Sequence, residues 1–198
     1  MRSLCAILLL FPAFAAADEG PVIEWSADRP LGWSDFQGPV PTGAAPERVA
    51  ASNTSLSWSY AYEVEWARGS CVFRILAIES AAGFHPDGSW VRPNHRTAAV
   101  LVHEQGHFDI TRLHHMSFVE RTSGLVGKDR ECRGSSERRA KRGVESEIAE
   151  IAGTLYEAVW RQHRQEQEAY DRETRHGIDT NAQAEWSRRI AARLVATR

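Results

Sequence analysis

The sequence predicts an α+β protein in which an N-terminal β-rich lobe packs on a C-terminal helical lobe. Three observations support this fold class. Apolar and polar residues alternate from Leu56 to Trp66, which is the period-two pattern of a half-buried strand. From Val144 to Val159 apolar residues recur at steps of three and four, the pattern of an amphipathic helix. Residues 21–46 are rich in proline, glycine and tryptophan without a helical period, so we expect short strands and turns there.

Residues 1–17 have the features of a cleavable secretory signal. Arg2 supplies a positive charge, residues 4–14 form an almost unbroken apolar run, and small residues follow up to Ala17. A run of about 11 residues is roughly half of what a bilayer-spanning helix needs. We therefore expect an exported protein, periplasmic or secreted, without a stable membrane anchor.

The chain after the signal, residues 18–198, is long enough for one domain with a sizeable core. We divide it into a β-rich lobe at 18–93 and a helical lobe at 94–198. The formal net charge is −2 and the pI is about 6.5, whereas nucleic-acid binding needs a concentrated basic surface. Basic residues cluster at 133–142, but acidic neighbours favour a solvated segment there. Nucleic acid is therefore not an expected partner, and the oligomeric state stays open.

The β-rich lobe contains one predicted antiparallel hairpin. The strand at 56–66 is followed by Arg68 and Gly69, which form a turn. A second apolar and β-branched strand follows at 71–78. A loop rich in glycine and proline then leads to the helical lobe.

The helical lobe contains three predicted helices. The first spans about 97–121, the second about 136–174, and the last 182–195. The apolar stripe of the second helix is expected to pack against the first. Gly177 is placed to adopt a left-handed conformation after the second helix.

Cys71 and Cys132 are predicted to form a disulfide bond. Removal of the signal also removes Cys5, which leaves these two cysteines in a compartment that permits oxidation. The bond would close a loop of about 60 residues and stabilise the fold by roughly 4 kcal/mol in the chain-entropy model. Metal ligation is the alternative, but the two residues lack the close spacing of a zinc knuckle.

The chemistry of the chain is expected at His103, Glu104 and His107, which form a His-Glu-x-x-His motif. Residues four apart lie one turn above each other on a helix, so both imidazoles can bind one zinc ion. Zinc lowers the pKa of a bound water towards about 7, and Glu104 can take its proton as the water attacks a polarised carbonyl.

The context of the motif favours this interpretation over a solvated charged helix. Five apolar residues, 98–102, precede the motif, so this turn of helix is expected to be buried, where unpartnered polar groups are costly. Gly106 destabilises a helix by about 1 kcal/mol relative to alanine, which suggests that another segment or a ligand approaches closely there.

A catalytic zinc ion normally has three protein ligands, so a third is needed. His176 is preferred, because helical spacing projects it onto the stripe that faces the first helix. Asp171 and a glutamate of the second helix are the alternatives. A metzincin continuation is excluded because Ile110 and Leu113 stand where glycine and histidine are needed. Tyr170 could donate a hydrogen bond to a developing oxyanion, or it could be a core tyrosine with a satisfied hydroxyl.

Three neighbouring residues are not assigned to the metal. His114 lies about 10 Å further along the helix than His107, too far to share an ion, and with His115 it is expected to be structural or exposed. Asp109 is expected either to orient a ligand imidazole or to pair with an arginine.

Four blocks of the sequence resemble a known family. Residues 31–39, 89–91, 103–110 and 170–177 are similar to the signature blocks of a bacterial family of predicted secreted zinc-dependent proteases, domain of unknown function 922. The resemblance covers most of the chain after the signal, and the block around the histidines is more specific than the five-residue motif. It implies export and zinc dependence, and it supplies no substrate.

We therefore expect a zinc metallopeptidase with Glu104 as general base, Zn²⁺ as cofactor and a peptide or protein as substrate. An amidase that acts on cell-wall peptides would use the same site. From another class of protein, the alternative is a catalytically inert periplasmic zinc-binding or assembly protein. Glu104 favours catalysis, because a structural metal site needs no carboxylate beside its ligands.

Overall fold

A computed structural model describes residues 20–67 and 70–196. The predicted signal at 1–17 and the predicted turn at 68–69 lie outside the described residues. Three helices follow a strand-rich N-terminal half: α1 (Ala98–Ser123), α2 (Glu137–Thr174) and α3 (Thr180–Ala196). The strands are β1 (Ile23–Glu24), β2 (Ala50–Ala51), β3 (Thr54–Ala67), β4 (Ser70–Phe84), β5 (Trp90–Val91) and β6 (Asp129–Glu131).

The longest strands belong to one sheet with the order β1-β4-β3. β1 pairs antiparallel with one end of β4, at Gly83 and Phe84, and β6 pairs antiparallel with the other end, at 72–74. β2 and β5 form a separate two-stranded antiparallel sheet in which Ala50 faces Val91. The chain thus combines antiparallel sheets with C-terminal helices, as the predicted α+β class requires.

The described residues form two compact units, and each of them combines strand and helix segments. The first contains residues 58–80 and 117–159, and the second contains 20–57, 81–116 and 160–196. The single domain predicted for residues 18–198, with lobes at 18–93 and 94–198, stays a prediction.

The first unit has its own apolar core. Phe73 and Ile75 of β4 are buried against Val144 and Ile148 of α2. Val144 and Ile148 belong to the apolar residues that recur at steps of three and four in the sequence. This periodic pattern therefore corresponds to a buried face of α2. Burial of such side chains contributes about 1.5–3 kcal/mol each.

The predicted bond between Cys71 and Cys132 is confirmed in the first unit. The two Cα atoms lie 4.9 Å apart, and the sulfur atoms are joined. The amide of Cys132 donates a 2.9 Å hydrogen bond to the carbonyl of Cys71 beside the β4–β6 pairing. The sequence analysis did not predict β6, which pairs with β4 next to this disulfide.

In the second unit, α1 is buried on more than one side. Phe108 belongs to a cluster with Phe84 of β4 and Phe36, whereas Ile110 and Leu113 pack against residues of α2 and α3. A helix with apolar contacts to several neighbouring elements is held in place by close packing. The His-Glu-x-x-His motif therefore lies on a helix that packs against several elements.

The predicted helices are confirmed to within two residues at each end that the structure describes. Gly177 has a φ of +80° after α2, as predicted. None of the helices in the described ranges is long and apolar enough to cross a membrane.

Candidate metal centre

The helix α1 presents both motif histidines to one point in the second unit. The Nε2 atoms of His103 and His107 lie 3.2 Å apart, and their rings meet edge to face with centroids 4.8 Å apart. His103 is buried. The four-residue spacing therefore brings two imidazole nitrogens together, as the sequence predicts.

Asp171 of α2 completes a group of three ligand atoms. Its Oδ1 lies 3.1 Å from Nε2 of His103 and 3.1 Å from Nε2 of His107. Potential ligand atoms of the three residues all lie within 4.8 Å of one another. Two nitrogens and one carboxylate oxygen that face each other this closely require positive charge between them, either protons or a cation. The group can therefore hold a metal ion.

The spacing of these atoms fits a small tetrahedral cation. Ligands at about 2.0–2.1 Å from a tetrahedral ion lie about 3.3 Å from one another. The three observed separations are 3.1, 3.1 and 3.2 Å. Imidazole nitrogen and carboxylate oxygen are also a donor set that zinc accepts.

Asp171 and His107 each favour the charged form of the other. Burial alone would raise the pKa of Asp171, but hydrogen bonding to His103 and His107 outweighs burial and holds this pKa well below its usual range. Burial would lower the pKa of His107, whereas its hydrogen bond to Asp171 and the nearby charge of Glu104 produce a net rise. A carboxylate that stays ionised in a mostly buried position is suited to bind a cation.

Each imidazole is also held on the side away from the group. Nδ1 of His103 donates a 3.1 Å hydrogen bond to Oε1 of Gln183, which belongs to α3. Nδ1 of His107 donates to Oε1 of Gln167, four residues before Asp171 on α2. Since an amide oxygen only accepts, Nδ1 of each histidine carries a proton, and both Nε2 atoms point to the group.

Glu104 is buried beside the ligand group and is oriented by Ser52. The Ser52 hydroxyl donates a 2.7 Å hydrogen bond to Oε2 of Glu104. No described residue donates to Oε1, the other oxygen of this carboxylate. Glu104 is 3 % exposed.

The ligand group and Glu104 line a cavity of about 350 Å³. One wall is the extended segment 48–54, which includes β2 and Ser52, and α2 supplies another wall, which includes Trp160. The three potential ligand residues and the Glu104 carboxylate are thus reached through the same cavity.

His176 lies beside this group and is not one of its three members. The helix α2 ends at Thr174, and Arg175, His176 and Gly177 all have positive φ angles, so helical spacing does not apply to position 176. Nδ1 of His176 lies 3.3 Å from Oδ1 of Asp171, and the His176 side chain is 44 % exposed. The left-handed turn thus places His176 against the carboxylate from the solvent side.

Tyr170 is fully buried, and its hydroxyl is committed to two partners. It donates a 3.1 Å hydrogen bond to the carbonyl of His103 and accepts a 2.7 Å bond from Nε2 of Gln183. Burial, the largest influence, raises the pKa of this phenol. These contacts match the core tyrosine that the sequence analysis considered as the alternative to an oxyanion donor.

The packing of Tyr170 also explains Gly106 of the motif. A Cβ atom at Gly106 would lie 2.2 Å from the Tyr170 hydroxyl oxygen. The prediction that another segment approaches Gly106 is therefore confirmed, and the segment is the end of α2.

Two other candidates from the sequence have different partners. Asp109 accepts hydrogen bonds from Trp25 Nε1 at 2.8 Å and from Gln105 Nε2 at 2.7 Å, so its partners are neither of those predicted. His114 is buried and donates a 2.7 Å bond to Glu166 of α2, away from the metal group.

The sequence analysis did not identify Ser52, Gln167 or Gln183. The spacing of Gln167 and Asp171, four residues apart, repeats the spacing of His103 and His107, and this signal could have been recognised. Ser52 carries no such signal, because its role depends on a contact between residues 52 positions apart.

A family model described as bacterial protein of unknown function, DUF922, matches residues 35–177. The match covers more than half of the chain and includes the three-residue ligand group, Glu104 and Ser52. No curated protein and no solved structure matches the chain. The chain belongs to the bacterial family of unknown function DUF922.

Proposed function

We propose that this protein is an exported zinc metallopeptidase in which His103, His107 and Asp171 hold the zinc ion. The observation that carries the proposal is the position of Glu104, a buried carboxylate next to the ligand group that lines the same cavity. Burial of an ionised carboxylate is costly unless its oxygens have hydrogen-bond or charge partners. Ser52 supplies one such partner, to Oε2 of Glu104. The free oxygen is available to accept a proton.

Zinc in such a site supplies Lewis acidity, which activates water and polarises a carbonyl group. The residues of the chain supply the rest. Glu104 accepts the proton of the attacking water and passes it to the leaving amine, while Ser52 holds the carboxylate in place. Asp171 replaces His176 as the third ligand in this proposal, and His176 orients Asp171.

Two features support export. A disulfide bond between Cys71 and Cys132 persists in oxidising compartments. The features of residues 1–17 are those of a secretory signal. We propose the periplasm or the exterior as the site of action.

The test is the substitution Glu104→Gln, which removes the base and preserves shape. The purified protein is incubated with an unbiased peptide library, with and without a chelator, and cleavage is followed by mass spectrometry. Cleavage should require metal and should fall by about 10²- to 10⁴-fold in Glu104→Gln, while bound zinc stays near one per chain. Glu168→Gln is the matched control, because Glu168 lines the same cavity and is not a member of the ligand group.

Two outcomes would contradict the proposal. Equal cleavage by wild type and Glu104→Gln would remove the carboxylate from the mechanism. Full zinc occupancy together with no cleavage by either protein, and full complementation of a deletion strain by Glu104→Gln, would identify an inert zinc-binding protein instead. If wild type cleaves cell-wall peptides and spares the linear library, the hydrolase is an amidase.

A further inference from the structure

Gln167 and Gln183 stand in matching positions behind the two histidines of the metal group. Oε1 of Gln183 accepts from Nδ1 of His103 at 3.1 Å, and Oε1 of Gln167 accepts from Nδ1 of His107. The two glutamines come from different helices, so this symmetry does not follow from one local sequence pattern.

The main chain of α1 fixes the direction of both amides. Nε2 of Gln167 donates a 2.9 Å hydrogen bond to the carbonyl of His107 itself. Nε2 of Gln183 donates to the Tyr170 hydroxyl at 2.7 Å, which donates in turn to the carbonyl of His103. A backbone carbonyl is an obligatory acceptor, so the amide NH₂ must face it or the tyrosine. The amide oxygen must then face the imidazole.

We propose that Gln167 and Gln183 are positioning residues that lock His103 and His107 in the Nδ1–H tautomer and so reserve both Nε2 atoms for the metal. In each case the hydrogen bonds that orient the glutamine start at the backbone carbonyl of the same histidine whose tautomer the glutamine fixes. Gln167 acts directly on this carbonyl, and Gln183 acts through Tyr170. This assigns Tyr170 a positioning role as well.

The proposal rests on the metal centre of the proposed function, and it does not depend on peptide hydrolysis. Partners behind a ligand imidazole typically contribute 10- to 100-fold to metal affinity. A purified, metal-free protein and Zn²⁺ alone are therefore sufficient for the test.

The first measurement is the Kd for Zn²⁺, obtained by competition with a chromophoric chelator. Gln167→Met and Gln183→Met keep the side-chain length and remove the acceptor, and each should raise the Kd by about 10- to 100-fold. Gln105→Met is the matched control. Gln105 lies on α1 between the two histidines but bonds to Asp109 and to the amide of Leu31, so its Kd should be unchanged.

Substitution by glutamate should change the Kd for Zn²⁺ differently at the two positions. In Gln183→Glu the carboxylate faces a tyrosine hydroxyl, which can reverse and donate to it, so the Kd for Zn²⁺ should stay near the wild-type value. In Gln167→Glu the carboxylate faces the His107 carbonyl, where two acceptors repel each other, so affinity should fall. A general loss of packing would not produce this difference between the two positions.

The second measurement is the tautomer itself. In the zinc-loaded protein, long-range ¹H–¹⁵N spectra of histidine should show protonated Nδ1 and metal-bound Nε2 for both His103 and His107. The Nδ1–H signal of the affected histidine should exchange faster with water in each methionine variant. Circular dichroism checks that these variants are folded.

Three results would overturn the proposal. Ligation through Nδ1 in the wild type would contradict the assigned tautomer, and an unchanged Kd in both methionine variants would show that the amides position nothing. A wild-type protein that binds no zinc would remove the metal centre together with this inference. By contrast, zinc binding and a weakened Kd without any peptide cleavage would leave the inference standing while the hydrolase proposal falls.

Discussion

The hydroxyl of Ser52 donates a 2.7 Å hydrogen bond to Oε2 of Glu104, although the two residues lie 52 positions apart in the sequence. This contact joins the extended segment along the cavity to the motif helix. It also separates the two oxygens of the carboxylate, because one is held by the protein and the other has no donor among the described residues.

We predict that Ser52→Ala lowers the kcat of metal-dependent peptide cleavage by about tenfold or more and leaves bound zinc unchanged. The base is retained but samples other rotamers, and misplaced catalytic groups lose rate rather than binding. Combined with Glu104→Gln, the serine substitution should have no further effect on residual cleavage. An additive loss in the double variant would show that Ser52 acts independently of Glu104.

Thr54→Val is the control for this experiment. Thr54 lines the same cavity, but its hydroxyl is hydrogen-bonded to Thr111 of α1 and not to Glu104. Its kcat should stay within about twofold of the wild type, whereas a loss equal to that of Ser52→Ala would point to a general disturbance of the segment.

A second prediction concerns the third metal ligand. Asp171→Asn keeps the shape of the side chain and removes its charge, so the protein should lose most of its zinc during dialysis against a weak chelator. His176→Ala should retain zinc, with affinity weakened by tenfold or less, because His176 contacts Asp171 from the exposed side. Elemental analysis of both variants decides the question. Complete loss of zinc in His176→Ala with retention in Asp171→Asn would restore the ligand set expected from the sequence.

The third prediction concerns Gly106. Gly106→Ala forces a methyl group to within 2.2 Å of the Tyr170 hydroxyl oxygen, so we expect destabilisation by about 1–3 kcal/mol despite the better helix propensity of alanine. Gly153→Ala on α2 is the matched control, since no atom lies within 4 Å of the added methyl group. It should raise the free energy of unfolding by up to about 1 kcal/mol. Urea denaturation measures both, and equal effects would contradict the close approach.

The fourth prediction concerns the acid stability contributed by Glu166. Burial would raise the pKa of this carboxylate, but hydrogen bonds from His114 of α1 and Arg193 of α3 outweigh burial and lower the pKa to about 2. Because the pKa is lower in the folded state, this contribution is fully present above the ordinary carboxyl pKa and is lost as the pH falls through about 2. Glu166→Gln should therefore destabilise the protein by about 1–3 kcal/mol near pH 6.

The difference between wild type and Glu166→Gln should shrink steadily as the pH is lowered from about 4.5 towards 2. Denaturant unfolding curves at several pH values provide the measurement. A difference that does not change across this interval would show that Glu166 contributes through packing and not through its charge.

Local patterns in the sequence were sufficient to predict the two longest strands and the three helices. The alternation from Leu56 to Trp66 and the helical period of α2 are set by one buried face each, so they can be recognised without knowledge of the partner. The pairing of His103 with His107 was predictable for the same reason, since both lie on one turn of α1. The contact of Gly106 with Tyr170 was predictable only as a close approach by an unnamed segment.

The position of His176 was harder to predict because it depends on where α2 ends. The preference for His176 assumed that helical spacing continues through position 176, but three left-handed residues follow Thr174. Residues other than glycine seldom adopt this conformation, so the sequence Arg175-His176 does not by itself indicate that the left-handed turn begins before Gly177. Gln167 and Gln183 were missed for another reason: each acts on a histidine more than 50 residues away.

The most direct test of the metal centre is a crystal structure of the purified protein with diffraction data collected on both sides of the zinc absorption edge. We expect one anomalous peak at about 2.0–2.1 Å from Nε2 of His103, Nε2 of His107 and a carboxylate oxygen of Asp171. Zinc bound elsewhere on the chain, or the absence of any peak at this position in protein supplied with excess Zn²⁺, would contradict the account.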